Sequence, residues 1–347
     1  MSDGFQVSVI IPVFRAEKFI ADAVQRVLSQ PEVAEVILME DGSPDGSLQK
    51  CQEIAARYGR VKLFTHENGV NRGAGETRNA AIQRSTCDFV AFADADNMYL
   101  PDRFKRDKEL FAADPTIDGV YNAQGIHYEN DAARKKFVSG GLAGGEFLSV
   151  SGPVPPDELL SVMFGRHRRE QMIGGLGIDA ITLHRRCFEK AGMFEKTLRL
   201  QQDVHFFFKL AASCRMHAGI LDKPVALRGV HADMRSTDPK IMIKYRRMRW
   251  RLVNEWIQKN VSSVECRTMA SKAYTDFRIR DSAWGLGLLQ FAKSVLYSPR
   301  ECLTEYGRFD QNFSSLFGNG RAVQKTLSAK NRFSRVFSNR THSTNTN

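Results

Sequence analysis

The sequence lacks the segments that would place it across a membrane or in an oxidising compartment. It has no apolar run of about 18 residues, which argues against a bilayer-spanning helix. Its six cysteines form no Cys-x-x-Cys pair, so we expect reduced thiols and neither a disulfide framework nor a zinc site. The start, Met1–Gly4, lacks a basic segment followed by an apolar one, and no signal peptide is expected. These absences predict a cytoplasmic protein.

Acidic residues are scarce in the C-terminal third. Residues 240–347 carry 20 Lys and Arg against 7 Asp and Glu, whereas residues 1–239 carry 30 against 32. The formal net charge of +11 therefore comes from the C-terminal part. A neutral body with a basic extension suggests docking on an anionic surface more than nucleic-acid binding. Beyond Asp310 no acidic residue remains, and residues 311–347 are predicted to be a disordered basic tail.

The first hundred residues alternate short apolar runs with amphipathic stretches. The apolar runs predict buried strands, and apolar residues three and four apart predict the helices between them. The predicted strands are Val7–Val13, Val33–Met39, Val61–Thr65 and Phe89–Ala93, and the predicted helices are Glu17–Ser29, Leu48–Arg57 and Ala74–Arg84. Pro101 is expected to start a further helix, where its missing N–H costs nothing. This α/β pattern predicts a Rossmann-like, mostly parallel sheet with helices on both faces.

The rest of the chain is less regular. Loops rich in Gly or Pro are expected at Ser139–Gly145, Pro153–Pro156 and Gly174–Gly177, and apolar helices at Glu158–Phe164, Arg185–Ala191 and Val204–Ala212. A basic helical pattern runs from Pro239 to about Ser298. We therefore expect a domain over residues 1–236, with halves 1–115 and 116–236, followed by a basic helical extension over 237–310.

Asp94-Ala95-Asp96 ends the fourth predicted strand, at the sheet edge where open α/β sheets bind ligands. In an extended segment the alternation of side chains would put both carboxylates on one side. Two such oxygens suit Mg²⁺ or Mn²⁺, which keep waters and take further ligands from a diphosphate. A solvated acidic turn is the alternative, because a lone Asp-x-Asp is common.

Two further polar segments follow strands two and three. Glu40–Ser43 could be a strand-to-helix turn with a capping residue, or a carboxylate that accepts the N3–H of a uracil ring. Asn71–Asn79 could be a flexible loop, or a place where glycines let the backbone approach a ligand while Arg78 offers a planar cation. Its spacing matches neither a Walker loop nor a dinucleotide-binding fingerprint.

In this order and spacing the motifs resemble glycosyltransferase family 2. The resemblance rests on Val9–Phe14, Glu40–Ser43, Gly73–Asn79 and Asp94–Asp96, and continues more loosely to about residue 236. It implies a GT-A fold, a nucleotide-diphosphate sugar donor, Mn²⁺ or Mg²⁺, and inversion at the anomeric carbon.

The resemblance also implies roles for single residues. The implied nucleotide-sugar contacts are Pro12, Val13, Glu17, Asp41, Arg78, Asp94 and Ala95. Among them Asp41 would bind uracil, Arg78 would lie near the base, and Asp94 would reach the ribose. Asp96 would bind the metal, and His231 resembles a histidine that reaches the metal or diphosphate.

An inverting transfer needs a base for the acceptor hydroxyl, which a positioned carboxylate can supply. The family usually provides it from an acidic pair that starts a helix, and Asp203 matches the second acid while Gln202 replaces the first. An Asp that merely caps the helix is the alternative. His205 alternates with phenylalanines on this helix and is interpreted as structural.

The basic C-terminal helices have three interpretations: a solvated helical cap, a surface that binds anionic membrane through residues 240–300, and nucleic-acid binding. Trp284–Phe291 favours the membrane, as an apolar-aromatic face near cations. No nucleic-acid module accompanies the charge, so no specific nucleic acid is expected. Arg246–Trp250 partly resembles the Gln-x-x-Arg-Trp segment of processive synthases, but Arg replaces Gln, and we expect a non-processive enzyme.

We therefore expect a metal-dependent inverting glycosyltransferase of cell-surface polysaccharide synthesis, peripheral on the cytoplasmic face of the membrane. It would move a sugar from a UDP-sugar to a hydroxyl of a glycan or lipid-linked acceptor. A non-catalytic nucleotide-sugar-binding scaffold is one alternative. A nucleotidyltransferase is another, although Phe14–Lys18 stands where its Gly-rich loop would follow strand one.

Overall fold

The computed structural model describes residues 4–139, 152–165, 175–231 and 239–281. Within these ranges a seven-stranded sheet has the order β3-β2-β1-β4-β8-β6-β9, and a three-stranded sheet has the order β5-β10-β7. The strands are β1 Val7–Val13, β2 Val33–Glu40, β3 Val61–Thr65, β4 Phe89–Phe92, β5 Met98–Tyr99, β6 Gly119–Tyr121, β7 Gln124–Tyr128, β8 Ile181–His184, β9 Met216–Ala218 and β10 Ala226–Val230. The large sheet is mainly parallel; only β8 runs antiparallel to its neighbours β4 and β6.

Helices flank this sheet and continue beyond it. They are α1 Ile20–Leu28, α2 Ser47–Arg57, α3 Ala74–Ile82, α4 Lys105–Ala113, α5 Asp131–Ser139, α6 Leu159–Met163, α7 Arg186–Ala191, α8 Gln202–Ser213, α9 Pro239–Asn260 and α10 Val264–Asp281. The predicted α/β class with flanking helices and a basic helical C-terminal part is confirmed.

The strand alternation of β1 builds two apolar layers. Ile10 belongs to one hydrophobic cluster, whereas Val9 and Ile11 belong to another, because successive side chains leave a strand on opposite faces. Helix α8 lies in the first cluster and helix α1 in the second. Both faces of the sheet are therefore covered, which explains why β1 reads as a continuous apolar run.

The helix expected to start at Pro101 is a wrong prediction, because α4 begins at Lys105. Asp102 has a φ of 61°, a left-handed conformation that a helix cannot accommodate. The short strands β5 to β10 were not predicted from the sequence.

The start of the basic extension is helical. Apolar residues of α9, among them Val253 and Ile257, join the cluster that contains α8, and the Trp250 and Phe208 ring centroids lie 5.6 Å apart. None of the helices within the described ranges combines the length and apolar character that crossing a bilayer requires. The segments Ser139–Gly145 and Trp284–Phe291 and the tail 311–347 lie wholly or mostly outside the described residues, and the predicted domain limits stay predictions.

Candidate functional site

The carboxyl ends of the first strands meet at one edge of the sheet. Val13 pairs with Glu40, and Glu40 pairs with Thr65, so β1, β2 and β3 end side by side. The polar segments that follow these strands therefore share that edge, as the sequence predicted.

Asp41 organises the loop that follows β3. Its carboxylate accepts hydrogen bonds from the backbone N–H groups of Arg72 (2.6 Å) and Gly73 (2.9 Å) and from Asn71 Nδ2 (3.0 Å). Gly42 has a φ of 68°, and a Cβ there would meet Gly69 O at 2.3 Å, so this turn requires glycine. Asp41 is 2% exposed and His66 Nε2 lies 3.5 Å from its Oδ1, so the uracil contact stays a prediction.

The predicted contacts after β1 lie in different surroundings. The side chain of Val13 is fully buried in the core, so only its backbone can line a pocket, and Pro12 is half-buried. Glu17 is exposed, and its Oε2 accepts the backbone N–H of Gly46 at 3.1 Å, just before α2.

Arg78 and Asp94 form an ion pair between α3 and the end of β4. Arg78 Nη2 donates to Asp94 Oδ1 at 2.5 Å. The Nε and Nη1 atoms of Arg78 have no partner among the described residues, although both are buried. Burial disfavours the charged form, but the carboxylates of Asp94 and then Asp203 outweigh it and raise the pKa of Arg78. Two donors of this guanidinium are thus buried without an acceptor among the described residues.

Asp94–Asn97 forms a turn, which corrects the expectation of an extended segment. The backbone N–H of Asn97 donates to Asp94 O at 3.0 Å, so strand alternation does not apply. The two carboxylates have different partners: Asp94 pairs with Arg78, while Asp96 Oδ2 lies 3.1 Å from His231 Nε2. Ala95 between them is buried.

Asp96 Oδ2 and His231 Nε2 share a hydrogen bond of 3.1 Å. Adjacent ligands of an octahedral Mg²⁺ also lie about 3 Å apart, so the two atoms could bind one divalent cation in place of this hydrogen bond. No group of three or more His, Cys, Asp or Glu side chains that could hold a metal occurs among the described residues. The pair would therefore need further ligands from waters and from a diphosphate, as the sequence analysis expected of such a site.

Asp203 lies inside the first turn of α8. The helix begins at Gln202 and the capping position belongs to Gln201, so the alternative that Asp203 is the capping residue is wrong. The negative charge of its carboxylate favours the charged form of Arg78 and of Arg249 in α9. Burial lowers the pKa of Arg249 to about 10, and Asp203 opposes that shift. The carboxylate thus lies near two buried guanidinium groups.

The sequence alone did not predict the positions of Arg249 and Asp179 beside the candidate site. Arg249 was considered only as part of a processive-synthase segment, and its approach to Asp203 depends on how α9 packs on α8. Asp179, which binds the Asp94–Asn97 turn, was not singled out because an isolated Asp in a loop carries no motif. His205 is 2% exposed in the helical core, in agreement with its structural interpretation.

Comparison with known proteins finds similar sequences and similar folds. The family model described as Glycosyl transferase family 2 matches residues 8–147, which is less than half of the chain. The likeness to glycosyltransferase family 2 is therefore shown for this N-terminal segment. It is 32% identical over 108 residues to the putative glycosyltransferase EpsE of Bacillus subtilis, which covers 30% of this chain and 38% of EpsE. It is 36% identical over 97 residues to the succinoglycan biosynthesis protein ExoU of Rhizobium meliloti, 28% of each chain.

Solved structures share the GT-A architecture. TarS 1–349 of S. aureus in complex with UDP-GlcNAc has a TM-score of 0.58 and 18% identity, covering 79% of this chain and 72% of TarS 1–349. At this identity the likeness concerns the fold. The sequence matches to EpsE and ExoU span less than half the length of those relatives.

Proposed function

We propose that this protein is a metal-dependent inverting glycosyltransferase of family 2 that moves a sugar from a UDP-sugar to a hydroxyl of a glycan or lipid-linked acceptor, in polysaccharide synthesis. The observation that carries the proposal is the pairing of Asp96 with His231 beside the pairing of Arg78 with Asp94. The Asp96–His231 pair suits a cation, and the Arg78–Asp94 pair suits a nucleotide. Both pairs lie at the sheet edge formed by the carboxyl ends of the parallel strands.

In the proposed reaction Asp203 takes the proton of the acceptor hydroxyl. The oxygen of that hydroxyl then bonds to the anomeric carbon, while the bond from this carbon to the diphosphate oxygen breaks and UDP leaves. Asp96 and His231 would hold Mn²⁺ or Mg²⁺, which stabilises the charge of the departing diphosphate. Arg78 would orient the nucleotide with its free N–H groups, while Asp94 would reach the ribose.

The metal and nucleotide roles can be tested by calorimetry of UDP with Mn²⁺. Asp96→Asn should weaken UDP binding by about tenfold, since it removes a charged ligand of the cation. Asp102→Asn is the matched control, because this exposed Asp lies on the neighbouring turn and should leave binding unchanged. Wild-type protein that binds no UDP, or equal binding by Asp96→Asn, would contradict the proposal.

The catalytic role of Asp203 has its own test. With UDP-GlcNAc as the first donor, because TarS was solved with it, release of UDP should be lost in Asp203→Asn while UDP binding persists. Other UDP-sugars can be screened by thermal stabilisation, because a ligand of the folded state raises apparent stability. Binding without any transfer or hydrolysis in the wild type would favour a scaffold.

We also propose that α9 docks on an anionic membrane surface. Lys240, Lys244, Arg247 and Arg251 share one exposed face of the helix, and Ile241 is 44% exposed beside them. Such cations contribute about 1 kcal/mol each near anionic headgroups. Lys244→Glu with Arg247→Glu should abolish sedimentation with phosphatidylglycerol vesicles. The same reversal at the exposed Arg57 and Lys105 is the control, and unchanged sedimentation of the α9 variant would refute the docking.

A further inference from the structure

Asp179 is a fully buried carboxylate held by three neutral donors. It lies in the 3-10 turn Ile178–Ala180 that leads into β8. Its Oδ1 accepts the backbone N–H of Asp94, and its Oδ2 accepts Asn97 Nδ2 and Gln124 Nε2, each at 2.7 Å. These donors come from the turn after β4 and from the start of β7, so one side chain joins separate parts of the fold.

This arrangement is costly for a side chain with only a packing role. Burial, and then the charge of Asp94, raises the pKa of Asp179 to about 7, which shows how poorly the site tolerates its charge. What a carboxylate offers, and an amide does not, is acceptor capacity on both oxygens. Both oxygens accept hydrogen bonds. Oδ1 accepts one from the backbone N–H of Asp94, and Oδ2 accepts two from the side-chain amides of Asn97 and Gln124.

Asn97 extends the connection to the second sheet. Its Nδ2 donates to Asp179, and its Oδ1 accepts the backbone N–H of Gly229 at 2.9 Å. Gly229 lies in β10, two residues before His231. A Cβ at Gly229 would meet Asp96 O at 2.2 Å, so this strand is pressed against the turn. The separation of Asp96 from His231 therefore depends on contacts that converge on Asp179.

We infer that Asp179 is a positioning residue that fixes the Asp94–Asn97 turn and, through Asn97, the end of β10. It holds Asp94 opposite Arg78 and Asp96 opposite His231 before any ligand binds. The identity of that ligand rests on the proposed function, whereas the positioning itself does not.

The test compares Asp179→Asn with a control variant, Glu35→Gln. Glu35 is also buried, and it accepts hydrogen bonds from Ser8, Thr86 and Lys62, none of which contacts the Asp179 turn. In Asp179→Asn an amide N–H must face the donors of Asn97 and Gln124. Hydrogen exchange at the backbone N–H of Asp94, Asn97 and Gly229 should accelerate by about tenfold, whereas Glu35→Gln should leave these sites unchanged.

A swap and a ligand measurement complete the experiment. In Asp179→Asn with Asn97→Asp, one N–H of the new amide donates to the new carboxylate, which still accepts Gly229 N–H, and the other N–H can donate to Gln124 once its amide turns over. Slow exchange at Gly229 should then return. UDP binding with Mn²⁺ should weaken by about tenfold in Asp179→Asn and recover in the swap. Equal exchange in the wild type and Asp179→Asn, equal acceleration by Glu35→Gln, or no recovery of slow exchange at Gly229 in the swap would overturn the inference.

The two proposals fail in different ways. Wild-type protein with slow exchange at these sites but no UDP binding would refute the proposed function and leave the positioning supported. If Asp179→Asn does not fold, Asn97→Ala replaces it, because it removes the hydrogen bonds of Asn97 to Asp179 and to Gly229 but keeps the one from Asp94 N–H to Asp179. Exchange should then accelerate at Gly229 and stay slow at Asp94, and slow exchange at both sites would overturn the inference.

Discussion

The ion pair of Arg78 and Asp94 is buried on one side only: the arginine side chain is 3% exposed and the aspartate side chain is 33% exposed. Water can therefore solvate the carboxylate if the guanidinium is removed. The guanidinium has no comparable access to water if the carboxylate is removed. Removal of the aspartate should therefore lower the free energy of unfolding more than removal of the arginine.

Asp94→Ala should lower the free energy of unfolding more than Arg78→Met does. It leaves a buried cation with less compensation, at a cost of about 3 kcal/mol, whereas a methionine fills the arginine site without charge. Both variants should weaken UDP binding. Urea unfolding of the two proteins checks the order, and equal or reversed losses of stability would contradict this account of the pair.

Gly229→Ala should disturb the Asp96–His231 pair although it changes neither of the two side chains. Its Cβ would meet the backbone oxygen of Asp96 at 2.2 Å, so β10 or the turn must move. Overpacking of this kind costs about 1–3 kcal/mol, and Mn²⁺-dependent UDP binding should fall with it. A Cβ at Gly59 meets nothing within 4 Å, so calorimetry on Gly59→Ala provides the control. Unchanged UDP binding by Gly229→Ala would contradict the expectation that the added Cβ displaces β10 or the Asp94–Asn97 turn.

His205 should make stability sensitive to acid. Burial, and then Lys209 nearby, lowers the pKa of His205 to about 4 from 6.5, while Glu195 opposes the shift and Arg249 adds to it. Between these values the unfolded chain binds the proton first, so stability is lost as the pH falls from 6.5 towards 4. The contribution is about 3 kcal/mol.

The measurement is denaturant unfolding of His205→Phe across this pH window. The variant should lose less stability on acidification than the wild type, whereas His127→Gln at an exposed position should follow the wild type. Parallel losses in all three proteins would show that His205 is not the responsible group.

The sequence predicted the first four strands because each is a short, mostly apolar segment between turn signals. Strands such as β6 and β9 have three residues each, too few to show alternation. The helix expected at Pro101 was wrong because Asp102 adopts a left-handed conformation, and α4 begins only at Lys105.

The candidate site was predictable in its residues but less so in its geometry. Resemblance supplied Asp94, Asp96 and His231, and the structure brings the last two together. Strand alternation failed for Asp94 and Asp96 because the chain turns between them. The contribution of Asp179 depends on a contact across 85 residues, which a reading of neighbouring residues cannot reveal.

The antiparallel strand β8 has a consequence for synthesis on the ribosome. Strand β4 and its acidic turn emerge early, but the neighbour that covers the edge of β4 follows only with Ile181–His184. A nascent chain that has reached residue 147 holds the whole segment that the family model matches, yet it leaves an unpaired strand edge open to aggregation. Truncated forms should need a chaperone, and release from it should coincide with the arrival of β8.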